Sequence, residues 1–431
     1  MSGIIKKFTN SKNLSTFAIV ISVFICYTGM YAVRKSFLAG KYTGLVFGYG
    51  VDAKTILVLS QVLGYMVSKF LGIKIISEMP KSKRAIVLTG LIFFALLMLA
   101  LFAIVPAEWK ILALFLNGLP LGMVFGIVFS YIEGRKNTEL LAAALSATFI
   151  FSTSFVKTVG LLLMRDFNID EYSMPFYTGL LFFPFFLLSV WVLNKSKGPD
   201  ESDIKARSER VPMHSKDRKD FIKANGVGYF GLVGIYILLT VVRDFRDNFM
   251  VEFWSEQGYS SSPNIVTLTE IPVAIIVLAI AAAGVLIRNN NRAFNTGMLL
   301  TAVGAVIIIV FTLLFNQGLI SPVTWMVTTG VGIYLPYILF HCLVFERLVA
   351  LLSFKGNVGF LFYMADALGY LSSVIVLLLK EVVGFKQTWG HFFIWLNLES
   401  AALLLLLSLF AMWYFNKRID EKKEKQVIAY P

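Results

Sequence analysis

Residues 195–226 read KSKGPDESDIKARSERVPMHSKDRKDFIKANG, and this polar stretch divides an otherwise apolar chain. It carries Lys195, Lys197, Lys205, Arg207, Arg210, Lys216, Arg218, Lys219 and Lys223, together with acids, Pro199, Pro212 and several serines. Such a composition reads as a solvated linker. Six apolar runs precede it, near 14–39, 55–76, 85–105, 109–132, 140–164 and 174–194. Six follow, near 227–254, 264–287, 294–316, 322–345, 357–379 and 390–415. A helix needs about 20 apolar residues to cross the hydrocarbon core. The chain therefore reads as an all-α integral membrane protein of about twelve transmembrane helices in two pseudo-symmetric six-helix bundles. The bundles occupy 1–194 and 227–416, with the linker at 195–226 and a tail at 417–431.

Composition agrees with this. Of 431 residues 57% are hydrophobic and only 15% charged, and the mean hydropathy is +0.75. Soluble domains carry about 25% charged residues, so a chain this apolar needs lipid around it. The 39 Phe suit a lipid-facing surface. Cys26 and Cys342 fall inside apolar runs and suggest buried thiols rather than a disulfide framework. The three histidines, His214, His341 and His391, have no metal-ligand spacing, so neither metal nor cofactor is expected. Lys6, Lys7 and Lys12 precede the first run as in a signal peptide, but the run from Leu14 to about Ala39 is too long for one and reads as the first span. No Walker loop, Rossmann fingerprint or nucleophile elbow is present, so no catalytic residue is assigned and no enzyme is expected.

Charge fixes the expected orientation. With both termini in the cytoplasm, only Lys41, Lys54, Lys110, Arg165, Lys380 and Lys386 of the 39 basic residues fall in outer segments. Most others lie in inner segments, as the positive-inside rule requires. The net charge of +13 then reflects topology and contact with anionic lipid, with no need for nucleic acid. The expected location is the plasma (cytoplasmic) membrane, as a monomer.

Six basic residues remain inside spans: Arg34, Lys35, Lys69, Lys157, Arg243 and Arg246. A charge at mid-bilayer costs about 2.5–3.5 kcal/mol on insertion scales, so each needs a partner, a wet cavity or a route to the headgroups. Arg34, Lys35 and Lys69 can snorkel. Arg243 and Asp247 are four apart and can neutralise each other. Arg246 can pair with Asp247 or Asp244. Against this, Tyr27, Tyr31 and Arg34 share one helix face, and Arg34 and Arg243 occupy similar places in the first helix of each half. In a protein of two six-helix repeats, equivalent helices line a central cavity. Two guanidiniums there suit bidentate grip on phosphate or carboxylate. The second half also holds Asp244, Asp247, Glu270, Asp366 and Glu399 within its spans. Asp366, Asp247, Glu270 and Glu399 are candidates for ion coupling or charge pairing, and His341 reads as a hydrogen-bonded packing residue. Gly118, Pro120 and Gly122 in span four match Gly330, Gly332 and Pro336 in span ten, and read as sites of close helix approach or bending.

Four stretches carry a family resemblance. They are Tyr31-Ala32-Val33-Arg34-Lys35-Ser36-Phe37, Tyr65-Met66-Val67-Ser68-Lys69-Phe70, Val242-Arg243 with Trp254 beyond, and Ile333-Tyr334-Leu335-Pro336. They resemble the major facilitator superfamily, and within it the organophosphate:phosphate antiporters of the glycerol-3-phosphate and hexose-phosphate group. The resemblance implies phosphate binding by Arg34 and Arg243, helped by Lys69, Tyr31 and Tyr65, and alternating access by rocking of the halves. The chain departs from the pattern after span two, where Gly72 to Lys81 lacks the usual acidic-basic motif. It also has Lys157, with no His, in span five. The expected function is secondary active transport of a small anion, an organophosphate or phosphate, with Arg34, Arg243, Lys69, Lys157, Tyr31, Tyr65 and Tyr27 forming the substrate site. The alternatives are a proton-coupled carrier of a carboxylate or zwitterionic solute, and a membrane sensor built on a transporter fold.

Overall fold

The computed structural model describes residues 12–47, 50–77, 79–132, 145–146, 148–196, 215–352, 358–382 and 388–429. Most of the expected linker, the first residues of the expected fifth span at 140–144, and the extreme C-terminus lie outside the described residues.

Helices account for nearly all of it. In chain order they are α1 Lys12–Lys35, α2 Ala53–Ser77, α3 Arg84–Ile104, α4 Ala107–Ile132, α5 Phe151–Phe167 and α6 Met174–Lys195. Then come α7 Ser215–Glu256, α8 Glu270–Val285, α9 Asn290–Asn316, α10 Pro322–Leu339, α11 Val358–Val382 and α12 Trp389–Ala429. Beyond α10 the helix passes through a π turn, Phe340–Val344, into a last α-helical stretch, Phe345–Leu352. Among the described residues, 10 helices are long and apolar enough to cross a membrane. The shorter α5, of 17 residues, and α11 complete the expected twelve.

The starts and stops have local causes. The Asn289 side chain accepts the Arg292 amide to begin α9, and Ser321 accepts Thr324 with Pro322 at the first helical position of α10. Helix α7 starts at Ser215 rather than near 227, and α12 runs on to Ala429. The Lys, Arg and Glu of these extensions favour helix, so the coil outlasts the apolar pattern.

The chain divides into two compact units. The first comprises Met1–Arg207, Asp247–Leu268 and Leu377–Phe385; the second comprises Ser208–Arg246, Thr269–Val376 and Lys386–Pro431. In the first, α1 packs on α4, α5 and α6, and α2 lies along α4. An ideal Cβ on Gly118 would stand 2.2 Å from the Gln61 carbonyl, and one on Gly64 2.1 Å from that of Phe115. Glycine alone lets α2 and α4 come this close. In the second unit α9 packs on α10 and α12, with Gly304 set against the Gly332 carbonyl and the Pro336 ring.

Burial separates inner from outer helices. Only 33% of the apolar window is buried in α3 and α6, and 39% in α9, against 67% in α1 and 61% in α10. The outer helices present stripes such as Leu299, Val303, Val306, Val310 and Leu313 on α9. Their spacing of three to four residues keeps them on one helical face, the one for acyl chains.

Candidate functional site

In the first unit the site is built on the end of α1. A helix leaves its last four carbonyls without internal donors. Here Asn117 of α4 donates to Val33 O at 3.1 Å and to Ala95 O of α3 at 2.9 Å. Gln61 of α2 donates to Arg34 O and to Asn117 Oδ1, both at 2.7 Å. Two helices, α2 and α4, thus grip the backbone that carries Arg34, and Asn117 ties that brace to α3.

The Arg34 side chain is 4% exposed and stacks on Tyr65, with 3.7 Å from its central carbon to the ring centre. The Lys69 ammonium lies 5.1 Å from the same ring. Tyr27 and Tyr31 are buried below on the same face of α1, edge to face at 5.2 Å. Cation–π contacts of this kind attract a cation to the face of the ring.

Lys35 does not run outward. It pairs with Asp247 at 2.7 Å and donates to Asn248 at 2.9 Å. Lys157 pairs with the other oxygen of Asp247 at 2.8 Å. Burial makes a nearby carboxylate a better partner for these ammoniums than distant headgroups. Asp247 is therefore taken by two lysines, and the expected Arg243–Asp247 pair does not form. Lys54 bonds the Leu38 carbonyl at 2.6 Å and pairs with Glu252, a buried bridge that span-counting overlooked. In the loop after α1, burial and then the Glu171 carboxylate push the Tyr42 phenol well above its usual value.

In the second unit Arg243 is 8% exposed. It is held by its neighbour Asp244 at 2.5 Å, lies 4.2 Å over the Tyr337 ring, and has the Tyr370 hydroxyl at 3.4 Å. Arg246 pairs with Glu270 rather than with Asp244 or Asp247, and neither side chain is exposed. Gly330 makes room for that guanidinium, since a Cβ there would meet it at 2.8 Å. Asp366 is 3% exposed and accepts a hydrogen bond from Tyr236 at 3.0 Å. The Tyr236 hydroxyl also meets Tyr337 at 3.2 Å and His341 at 3.1 Å, so His341 is packed among hydrogen-bonding partners. Glu399 lies on an exposed position of α12, apart from these groups.

Tyr236, Tyr337 and Tyr370 escaped the reading of the sequence. A signal was present: Tyr236 precedes Arg243 by the same seven residues that separate Tyr27 from Arg34.

Residues 36–418 match the profile of DUF5690, described as a family of unknown function. No curated protein matches. Among solved structures, the chain is similar to the crystal structure of a D-xylose-proton symporter, with a TM-score of 0.64 and 14% identity over 94% of this chain and 98% of that one. It is also similar to a peptide transporter POT in complex with alafosfalin, with a TM-score of 0.60 and 13% identity over 94% of each chain. A nucleoside transporter, NupG, gives 0.59 and 14% identity over 92% of this chain and 100% of that one. The fold is that of the twelve-helix major facilitator transporters, and the protein is a multi-pass membrane protein.

Proposed function

We propose that this chain, which belongs to the DUF5690 family, is a secondary active transporter of a small anion, an organophosphate or phosphate, with Arg34 and Arg243 as its anion-binding groups. The carrying observation is the environment of Arg34. It is buried on the face of Tyr65 with a second cation, Lys69, over the same ring. Two cations beside one aromatic face, one of them a planar guanidinium, suit bidentate contact with a phosphate or carboxylate. Arg243, stacked on Tyr337 in the other unit, supplies the second group. Tyr31 and Tyr27 shape the wall beneath Arg34. The reading includes a monomer in the cytoplasmic membrane with both termini inside.

The test is counterflow of labelled inorganic phosphate, and of a panel of phosphorylated metabolites, in proteoliposomes. Exchange in the wild type that is lost in Arg34→Lys supports the reading. Exchange by Arg34→Lys at the wild-type rate sinks it. A second reading, a proton-coupled carrier of a carboxylate or zwitterion, draws support from Asp366, a buried acid in the core of the second unit. Uptake of a carboxylate with none of phosphate would favour it.

A further inference from the structure

The second unit contains a chain of exchangeable protons. Tyr236 of α7 stands at its centre and is fully buried. Its hydroxyl lies 3.0 Å from Asp366 Oδ1 on α11 and 3.1 Å from His341 Nε2 on the continuation of α10. Tyr337 adds a second phenol at 3.2 Å. Asp366 is buried, whereas His341 is partly exposed. An acid, a phenol and an imidazole in hydrogen-bonding series, with only the imidazole partly exposed, have the order of a proton conduit. His341 also sits within the π turn Phe340–Val344, just beyond Pro336. Single π turns inside α-helices recur at functional positions, because the wider turn re-aims one side chain.

We propose that His341, Tyr236 and Asp366 form a proton relay that couples anion movement to the proton gradient. This rests on the anion-transport reading above. A proton from water first makes His341 an imidazolium. Its Nε2 proton passes to the Tyr236 oxygen as the Tyr236 hydroxyl proton passes to Asp366 Oδ1. Tyr236 ends unchanged, His341 ends neutral, and Asp366 ends as a neutral acid. The balance is one proton taken up and one negative charge removed.

That charge matters to Arg243. Among the described residues, the charged and titratable groups facing the relay include Arg243 and Asp244 on α7, Tyr337 on α10 and Tyr370 on α11. Tyr337 touches both the relay and the guanidinium. Protonating Asp366 leaves the surroundings of Arg243 more positive, which favours an incoming anion. Proton and anion then load together, as symport requires. Coupling through a shared electrostatic field needs no contact between the two ligands.

Two measurements test this. In proteoliposomes an imposed pH gradient should drive labelled inorganic phosphate uphill, by up to about tenfold per pH unit for one proton per anion. Tyr236→Phe and Asp366→Asn should keep counterflow and lose the uphill component. Accumulation by either variant at the wild-type level overturns the relay. The second measurement needs no substrate: infrared difference spectra of the purified protein between acid and neutral pH. A protonated-carboxyl band should appear in the wild type, vanish in Asp366→Asn, and shift in Tyr236→Phe and His341→Gln. A band that survives Asp366→Asn, or none in the wild type, overturns the relay whatever the substrate is. The expected band without any phosphate counterflow upholds the relay and refutes phosphate as the cargo.

Discussion

Lys157 donates to Asp247 twice, to the carboxylate at 2.8 Å and to the backbone carbonyl at 2.7 Å. Lys35 holds the second carboxylate oxygen at 2.7 Å. Two buried ammoniums therefore share one carboxylate. A buried ion that loses its partner costs far more than an intact pair contributes.

Asp247→Asn should thus lower stability by about 3–5 kcal/mol, because it leaves two lysines without a counter-charge. Lys157→Met should cost less, since Lys35 still matches Asp247. Thermal unfolding in detergent ranks the two. An Asp247→Asn melt equal to the wild type would mean that the lysines find other partners.

Arg34→Lys retains charge and loses the planar fork and the stack on Tyr65. The expected loss is about 1.5–3 kcal/mol of anion binding, or about ten- to hundredfold in apparent affinity. Phosphate counterflow against concentration reads this directly. Arg243→Lys should behave alike if both arginines serve one anion. A variant pair with unaltered concentration dependence would rule out the arginines as the binding groups.

The pair Arg246–Glu270 is wholly enclosed. Arg246→Met should be costly, and Arg246→Met combined with Glu270→Leu should recover much of the loss, because the second change removes the stranded charge. A thermal-melt double-mutant cycle measures the coupling. Strict additivity would show that the pair is not an energetic unit.

Close approach of α2 and α4 gives a fourth expectation. Gly118→Ala places a methyl 2.2 Å from the Gln61 carbonyl. It should cost about 1–3 kcal/mol by overpacking and disturb the Gln61–Asn117 brace of Arg34. Gly90→Ala, with nothing within 4 Å of its Cβ, is the control and should melt as the wild type does. Equal melts for both variants would show that the contact is loose.

The membrane fold was legible because its signal is coarse. Apolar runs of about twenty residues, and lysines and arginines gathered on alternate connections, survive any error of a few residues in boundaries. The site was legible only in part. Arg34 stood out because a cation in an apolar run demands an explanation, Tyr65 because its stretch resembles a family motif, and the structure brings them into contact. Partners of the ions were not legible, because pairing depends on three-dimensional proximity. Spacing of four suggested Arg243 with Asp247, yet Asp247 is claimed by Lys35 and Lys157, which are remote in sequence. Arg243 turned to the adjacent Asp244, a pairing that helical periodicity does not favour. Tyr236 drew no reading, and His341 read as a hydrogen-bonded packing residue. Only their convergence on Asp366 from separate helices sets them apart.

The widened turn at Phe340–Val344 has one more consequence. Its extra residue shifts the angular phase of everything after it by about 100°, the sweep of one α-helical step. Phe345 and Leu348, both buried, are in phase with the core only because of that shift. Deleting Leu343 should regularise the coil and swing these two side chains off the core. A bulge of this kind can also migrate along its helix without breaking it. The position of that one surplus residue sets the heading of His341.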